Sequence, residues 1–439
     1  MRLINTDSLM LQEFIDADSA PKYAILSHRW GDEGVTHKAW RKGRCTEGAK
    51  GYVKIVDACA FARARGQAWL WVDTVCINKD SSQDLSEAIN SMWYYYQSAT
   101  ECYAYLGDVI ATDPTVRIEQ VIASDWFLRG FTLQELIAPE RVIFTSSSWD
   151  IIGFKYPPNH DPSEVRRLEA SMGPDVGLAE EIESVTGIPI DVLAYAESRF
   201  VFSVAQRMSW MARRTTTRIE DMAYCLLGLF NINMPLLYGE REEAFSRFQR
   251  EIFGRTEDET LLAWPFTQPL VTAVPTEVLQ ARTMAYDEVL GIFASGPHCF
   301  KYALDTTGTR ADVSPLVLTG RGIQMTATLE TSPRAYQTTN NPGLACLVLL
   351  AVDQSMWLPH SNPRVAPVET SRFCVFLSKL PCGHYGRIAT QSISQTVHTW
   401  WPLASGDTMV IHYSTRHQCS HDLARAQEAK HYGGRAMLF

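Results

Sequence analysis

Residues 23–31 read YAILSHRWG, and their reading decides the fold. Tyr23 to Ser27 is a short apolar run of the kind that forms a buried strand, and it breaks into a polar and aromatic turn, His28-Arg29-Trp30, closed by Gly31. Downstream, Val53, Val56, Ala60 and Ala64 fall at helical spacing, which predicts a helix over Gly51 to Ala64 stopped by Gly66. Ala68 to Val75, AWLWVDTV, is a second buried strand. Ser81-x-x-Asp84 has the form of a capping box opening a helix from Leu85 to Gln97, and Glu101 to Leu106 is a third strand ended by Gly107. A helix over Trp126 to Ala138 and a fourth strand, Arg141 to Thr145, complete the alternation. Strands and helices in alternation predict an α/β domain: a parallel sheet with helices on both faces, whose ligands bind at the carboxyl ends of the strands. Those ends are Ser27 to Gly31 and Asp73 to Asn78.

From about Tyr156 the texture changes. Pro157, Pro158 and Pro162 precede helical patterns over Ser203 to Arg213 and Arg218 to Phe230, the second with a capping box at Thr217-x-x-Glu220 and an apolar stripe of Met222, Leu226 and Leu229. The Met234 to Gly239 turn leads to a helix over Glu240 to Phe253. Beyond Trp264 the pattern becomes short strands between turns, at Val289 to Phe293, Leu316 to Leu318, Ile323 to Leu329, Ala345 to Val352, Phe373 to Leu377 and Thr408 to Tyr413. The predicted organisation is an α/β domain over 1–155, a helical connector over 156–262 and a β-rich domain over 263–439.

Composition narrows the partners. A net charge of -9 argues against a general nucleic-acid or anionic-membrane surface, each of which needs clustered Lys and Arg. The opening MRLINTDSLMLQEF lacks a basic head followed by an apolar stretch, and no segment reaches the length of a membrane span, so a cytoplasmic address is expected. The ten cysteines are scattered, several inside apolar runs, which predicts reduced buried thiols. Arg213, Arg214 and Arg218 read as a solvated helix junction.

The chemistry concentrates in Trp126 to Glu140, WFLRGFTLQELIAPE. Glu135 follows Phe131 by four residues and shares its helix face. An aromatic plate beside a partly desolvated carboxylate suits a flat cationic ring and the positive charge of the sugar attached to it, which suggests cleavage of a nicotinamide N-glycosidic bond. Nicotinamide leaves as a neutral molecule, so one carboxylate opposing the oxocarbenium charge suffices where most glycosidases need two. In such a site Trp30 or Trp71 would stack on a ring, Arg29 and Lys79 would meet a pyrophosphate, Ser27 or Asp73 would bind ribose hydroxyls, and His28 would line the same rim. The bland alternative is that Phe131, Leu133, Leu136 and Ile137 pack a helix on a sheet and Glu135 is a cap. A second chemistry sets Cys76 as nucleophile beside His28 as base. Cys382-x-His384 and His417-x-Cys419-x-His421 offer metal ligands at spacings unlike those of zinc fingers, and no metal is expected.

At YAILSHRWGD, WVDTVCINKDSSQDLSEAINSMWYYYQSATECYAYLGDV and WFLRGFTLQELIAPERVIF, the first 150 or so residues resemble the heterokaryon incompatibility (HET) domain of filamentous fungi. SVAQRMSWMARRTTTRIEDMAYCLLGLFNINMPLLYGEREEAFSRFQ is similar to the segment that follows that domain. The resemblance implies a cell-death effector of fungal self/non-self recognition with a TIR-like, flavodoxin-like fold. TIR-like domains either associate with one another or hydrolyse NAD through one glutamate, at the position that Glu135 holds here. NAD is then substrate rather than cofactor, and the implied partners are a second copy of the chain and an incompatibility protein. Two positions depart from the family pattern: Phe131 stands where tryptophan is common, and Asn78-Lys79 where asparagine-glutamine is usual.

Overall fold

The computed structural model describes residues 1–29, 34–45, 48–110, 114–155, 177–256 and 258–264, with shorter segments between 289 and 412. The chain divides into two compact units, Met1–Val201 with Arg213–Ala244, and Phe202–Ala212 with Phe245–Phe439.

The first unit is built on a seven-stranded sheet: β1 (Arg2–Asn5), β2 (Leu11–Glu13), β3 (Ala24–His28), β4 (Trp69–Val72), β5 (Glu101–Tyr105), β6 (Val142–Thr145) and β7 (Ile151–Lys155), in the order β2-β1-β4-β3-β5-β6-β7. β4, β3, β5 and β6 run parallel. Every residue of β3 and β6 is buried, as expected of strands covered on both faces, which is why they read as unbroken apolar runs. The expectation of a wholly parallel sheet is corrected at the edges. β1 and β2 form an antiparallel pair joined antiparallel to β4, and β7 returns antiparallel to β6. A short connection allows only antiparallel return, and the Thr145 to Ile151 turn supplies one.

Helices α1 (His37–Arg41) and α2 (Lys50–Ala64) connect β3 to β4. Next come α3 (Asp73–Cys76) and α4 (Ser82–Gln97), which lead to β5, then α5 (Pro114–Ile122), a 3-10 turn Asp125–Leu128 and α6 (Thr132–Ile137), which lead to β6. Right-handed crossovers put α2 on one face of the sheet and α4 and α6 on the other, where they pack together. The core face of α2 differs from the predicted one: Val53 is 42% exposed, and Ile55, Ala58, Cys59 and Ala62 face the sheet at the i, i+3, i+4, i+7 positions instead. The Ser81 side chain accepts from the Asp84 N–H and caps α4 one turn earlier than the apolar pattern suggested.

Two predicted helices are broken. The strand expected to run to Val75 stops at Val72, and Asp73 opens the single turn of α3. The helix expected over Trp126 to Ala138 is interrupted at Arg129 and Gly130, because Arg129 is extended and the Gly130 N–H donates to the Thr215 carbonyl at 2.9 Å. The expected helix over Arg218 to Phe230 likewise reduces to Asp221–Tyr224 and the 3-10 turn Gly228–Phe230. Its capping box does not form, since Glu220 accepts from the Gly239 and Arg241 N–H groups instead. Gly228 is required there: a Cβ on it would lie 2.2 Å from the Cβ of Trp93 on α4.

In the second unit the helix Val204–Ser209 starts at a complete capping box between Ser203 and Gln206. Its described strands, among them Gly322–Ala327, Leu344–Gln354, Ser371–Lys379 and Asp407–His412, belong to a nine-stranded, mainly antiparallel sheet.

Candidate functional site

Strand order reverses direction between β3 and β5, a topological switch point of the sort where open α/β sheets take ligands at the carboxyl ends of their strands. β3 ends there in Ser27 and His28. Successive strand residues point to opposite faces, so these two neighbours serve different clusters.

Ser27 faces α6. Its Oγ donates to Glu135 Oε2 at 2.5 Å and accepts from the indole Nε1 of Trp126 at 2.9 Å. The Tyr96 hydroxyl, from α4, donates to the Leu26 carbonyl at 3.2 Å beside the same carboxyl. Glu135 is 8% exposed. Burial drives its carboxyl up to about 8, and the charge of Asp73 adds to the rise, while hydrogen bonds from Ser27 and Tyr96 and the nearby Arg214 oppose it. The carboxyl is therefore mostly protonated at neutral pH.

The short helix that carries Glu135 is held at both ends by buried cations. Arg214 Nη1 donates to the Arg129 carbonyl at 3.0 Å and to Thr132 Oγ1 at 2.8 Å, and Thr132 Oγ1 donates in turn to the Trp126 carbonyl at 2.7 Å. At the other end Lys155 Nζ donates to the carbonyls of Leu136, Ile137 and Pro139 at 2.7, 3.1 and 2.7 Å. A cation at a helix C-terminus meets both the orphan carbonyls and the helix dipole. Burial lowers Lys155 to about 7 and Arg214 to about 10.

His28 belongs to the second cluster, with 2% of its side chain exposed. Its Nε2 lies 3.4 Å from Asp73 Oδ1, and Lys79 Nζ lies 3.7 Å from Asp73 Oδ2. Burial lowers His28 more than Asp73 raises it, and the charges of Lys54 and Lys79 lower it further, which leaves a neutral imidazole. Neither ring nitrogen completes a hydrogen bond among the described residues. A buried polar group in that condition calls for a reason, and an incoming ligand is one.

The sequence-derived residues thus separate. Ser27 meets Glu135, and His28, Asp73 and Lys79 meet one another. Arg29 is half exposed and pairs with Asp125, while its carbonyl accepts from Lys54 Nζ at 3.0 Å. Phe131 is half-buried at the start of α6, where its carbonyl accepts the Glu135 N–H at 3.3 Å. Trp30 lies outside the described residues. Trp71 is core, packed on Tyr95 and Tyr96. The Cys76 reading fails: its sulfur is buried against the Val72 N–H at 3.3 Å, and burial pushes the thiol up to about 12. Cys382, His384, His417, Cys419 and His421 lie outside the described residues. Arg214 corrects the solvated-junction reading, because only Arg213 and Arg218 of that cluster are exposed. Trp126, Tyr96, Arg214 and Lys155 were not foreseen as site residues. The one signal for them was Trp126 at the head of the Glu135 motif.

Residues 23–116 match the family described as heterokaryon incompatibility protein (HET). That HET segment holds both β3 and the Asp73 cluster, and Glu135 lies beyond it. Over 264 residues the chain is 39% identical to Vegetative incompatibility protein HET-E-1 of Podospora anserina, covering 57% of this chain and 18% of that protein. Over 115 residues it is 27% identical to Heterokaryon incompatibility protein 6, OR allele, of Neurospora crassa, covering 24% of this chain and 16% of that protein. The chain thus matches less than a fifth of the length of either curated relative. No solved structure matches. Both relatives carry names that describe incompatibility proteins. Among the described residues no helix is long and apolar enough to cross a membrane.

Proposed function

We propose that this chain is a cell-death effector of fungal heterokaryon incompatibility whose first unit cleaves the nicotinamide N-glycosidic bond of NAD through Glu135. The observation that carries this reading is the contact between Glu135 and Ser27 at the switch point. Two support it. The parallel strands, counted in chain order, lie as 2-1-3-4, the order with which flavodoxin-like and hence TIR-like sheets begin. The Asp73, Lys79 and His28 cluster lies at the same carboxyl edge and offers acceptors and cations to ribose and phosphate oxygens.

In this reaction the ionised Glu135 opposes the oxocarbenium charge as nicotinamide departs, and Ser27 holds the carboxyl in place. Asp73 accepts from ribose hydroxyls, Lys79 meets the pyrophosphate, and Phe131 with Trp30 supplies the ring surface. NAD is the substrate, and no resident cofactor is invoked. Association of the first unit with a second copy, or with a partner incompatibility protein, is proposed as the trigger.

One observation favours a second reading. Glu135 is only 8% exposed, and its contacts with Ser27 and Tyr96 suit a structural network that fixes α6. In that case the unit signals by association without chemistry. Purified protein incubated with NAD separates the two: nicotinamide release lost in Glu135→Gln supports the first, and no release by folded protein at any concentration supports the second.

A further inference from the structure

The second unit holds a cluster that the proposed reaction does not use. Residues 295–300 read SGPHCF, and their turn Pro297–Phe300 is fixed from both sides. Just before it, Ala294 is clamped by the buried amide of Gln249, whose Oε1 accepts the Ala294 N–H at 2.9 Å while its Nε2 donates to the Ala294 carbonyl at 2.8 Å. After it, Phe300 is fully buried. On this frame the Cys299 sulfur lies 3.7 Å from His298 Nε2 and 3.6 Å from Ser295 Oγ. Gly296 makes the arrangement possible, because a Cβ there would lie 2.7 Å from His298 Nδ1 and push the imidazole off the sulfur.

A thiol beside an imidazole is the arrangement that yields a reactive thiolate, provided that solvent can reach it. Cys299 is half-buried and His298 is exposed. Burial works to raise the Cys299 thiol and is outweighed by the hydrogen bonds from His298 and Ser295, so that it is lowered, and His298 is raised by the same contact. Five other cysteines go the opposite way: burial raises Cys45, and it raises the buried Cys59, Cys76, Cys102 and Cys225 as well.

We propose that Cys299, paired with His298, is a modification site that captures low-molecular-weight disulfides. The Cys299 proton passes to His298 Nε2, and the thiolate attacks one sulfur of R–S–S–R. The bond from Sγ to that sulfur forms as the R–S–S–R bond breaks. The departing sulfur takes the electron pair and the imidazolium proton and leaves as R–SH. Cys299 is oxidised to a mixed disulfide while half of the reagent is reduced.

The test treats the whole chain with dithiodipyridine or glutathione disulfide below stoichiometry and locates the label by peptide mapping. Cys299 is expected to be labelled first, about tenfold faster at pH 7 than a cysteine of ordinary acidity, with a rate midpoint below the usual value of about 8.5. His298→Gln should slow Cys299 about tenfold and move its midpoint upward. Gly296→Ala, which keeps both reacting side chains but crowds the imidazole away from the sulfur, should act in the same direction. A first label on any other cysteine, or an ordinary midpoint for Cys299 in the unaltered chain, overturns the proposal. The midpoint needs no variant, so that result stands even where a substitution fails to fold.

Discussion

Glu135→Gln is the most informative single change. The structure holds the Glu135 carboxyl buried, with Ser27 donating to it, and raises it from the ordinary 4.5 to about 8. Glutamine copies the neutral acid: it keeps an oxygen to accept from Ser27 and has nothing to ionise. The folded state of the unaltered chain binds more protons than the unfolded state between 4.5 and about 8, so its stability falls as pH rises through that window. Over the full window the loss is roughly 5 kcal/mol, at about 1.4 kcal/mol for each unit. Lys155, lowered to about 7 by burial, works in the opposite sense, gaining stability as pH rises above 7. Subtracting one protein's curve from the other removes the Lys155 contribution, because both proteins carry it. Urea unfolding at intervals from pH 5 to 9 should therefore show Glu135→Gln gaining on the unaltered chain by several kcal/mol, with most of the gain reached by pH 8. A difference that stays flat across that range would show that the carboxyl ionises normally, and the burial argument would be refuted.

Other outcomes follow from the same geometry. Ser27→Ala strands both the Trp126 N–H and the Glu135 carboxyl, and should cost about 2–3 kcal/mol in urea unfolding while moving the Glu135 midpoint further up, since the Ser27 bond lowers it. Lys155→Met leaves three carbonyls at the end of α6 without their donor and should cost about 2–4 kcal/mol, again by urea unfolding. In the proposed reaction the ionised carboxyl is the active form, so kcat/KM for nicotinamide release should climb with pH, reach half its maximum near 8 and level off above about 9. A profile level from pH 5 would assign the rate to another group.

Much of the first unit was legible because buried parallel strands are continuous apolar runs, as in AILSH and WLWV, and because polar residues at their ends mark the carboxyl edge. The edge strands were not legible: β1 and β2 are short, and no crossover helix announces them. The break in the Glu135 helix was hidden as well, because it depends on Thr215, far along the chain, pairing with Arg129 and Gly130. Arg214 escaped for the same reason. An Arg-Arg pair reads as surface, and only the packed structure shows one of them buried against Thr132. The glycosidase reading requires Glu135 to approach the Ser27 rim without showing that it does. The contact itself is visible only in the packed structure, as is the division of Ser27 and His28 between opposite faces of the strand.

The most direct measurement is nicotinamide released from NAD by purified protein at pH 8, over a series of protein concentrations. The account predicts release that falls to background in Glu135→Gln, with specific activity rising with concentration if association is the trigger. Undiminished release by a folded Glu135→Gln protein, or none from folded unaltered protein at any concentration, would contradict it.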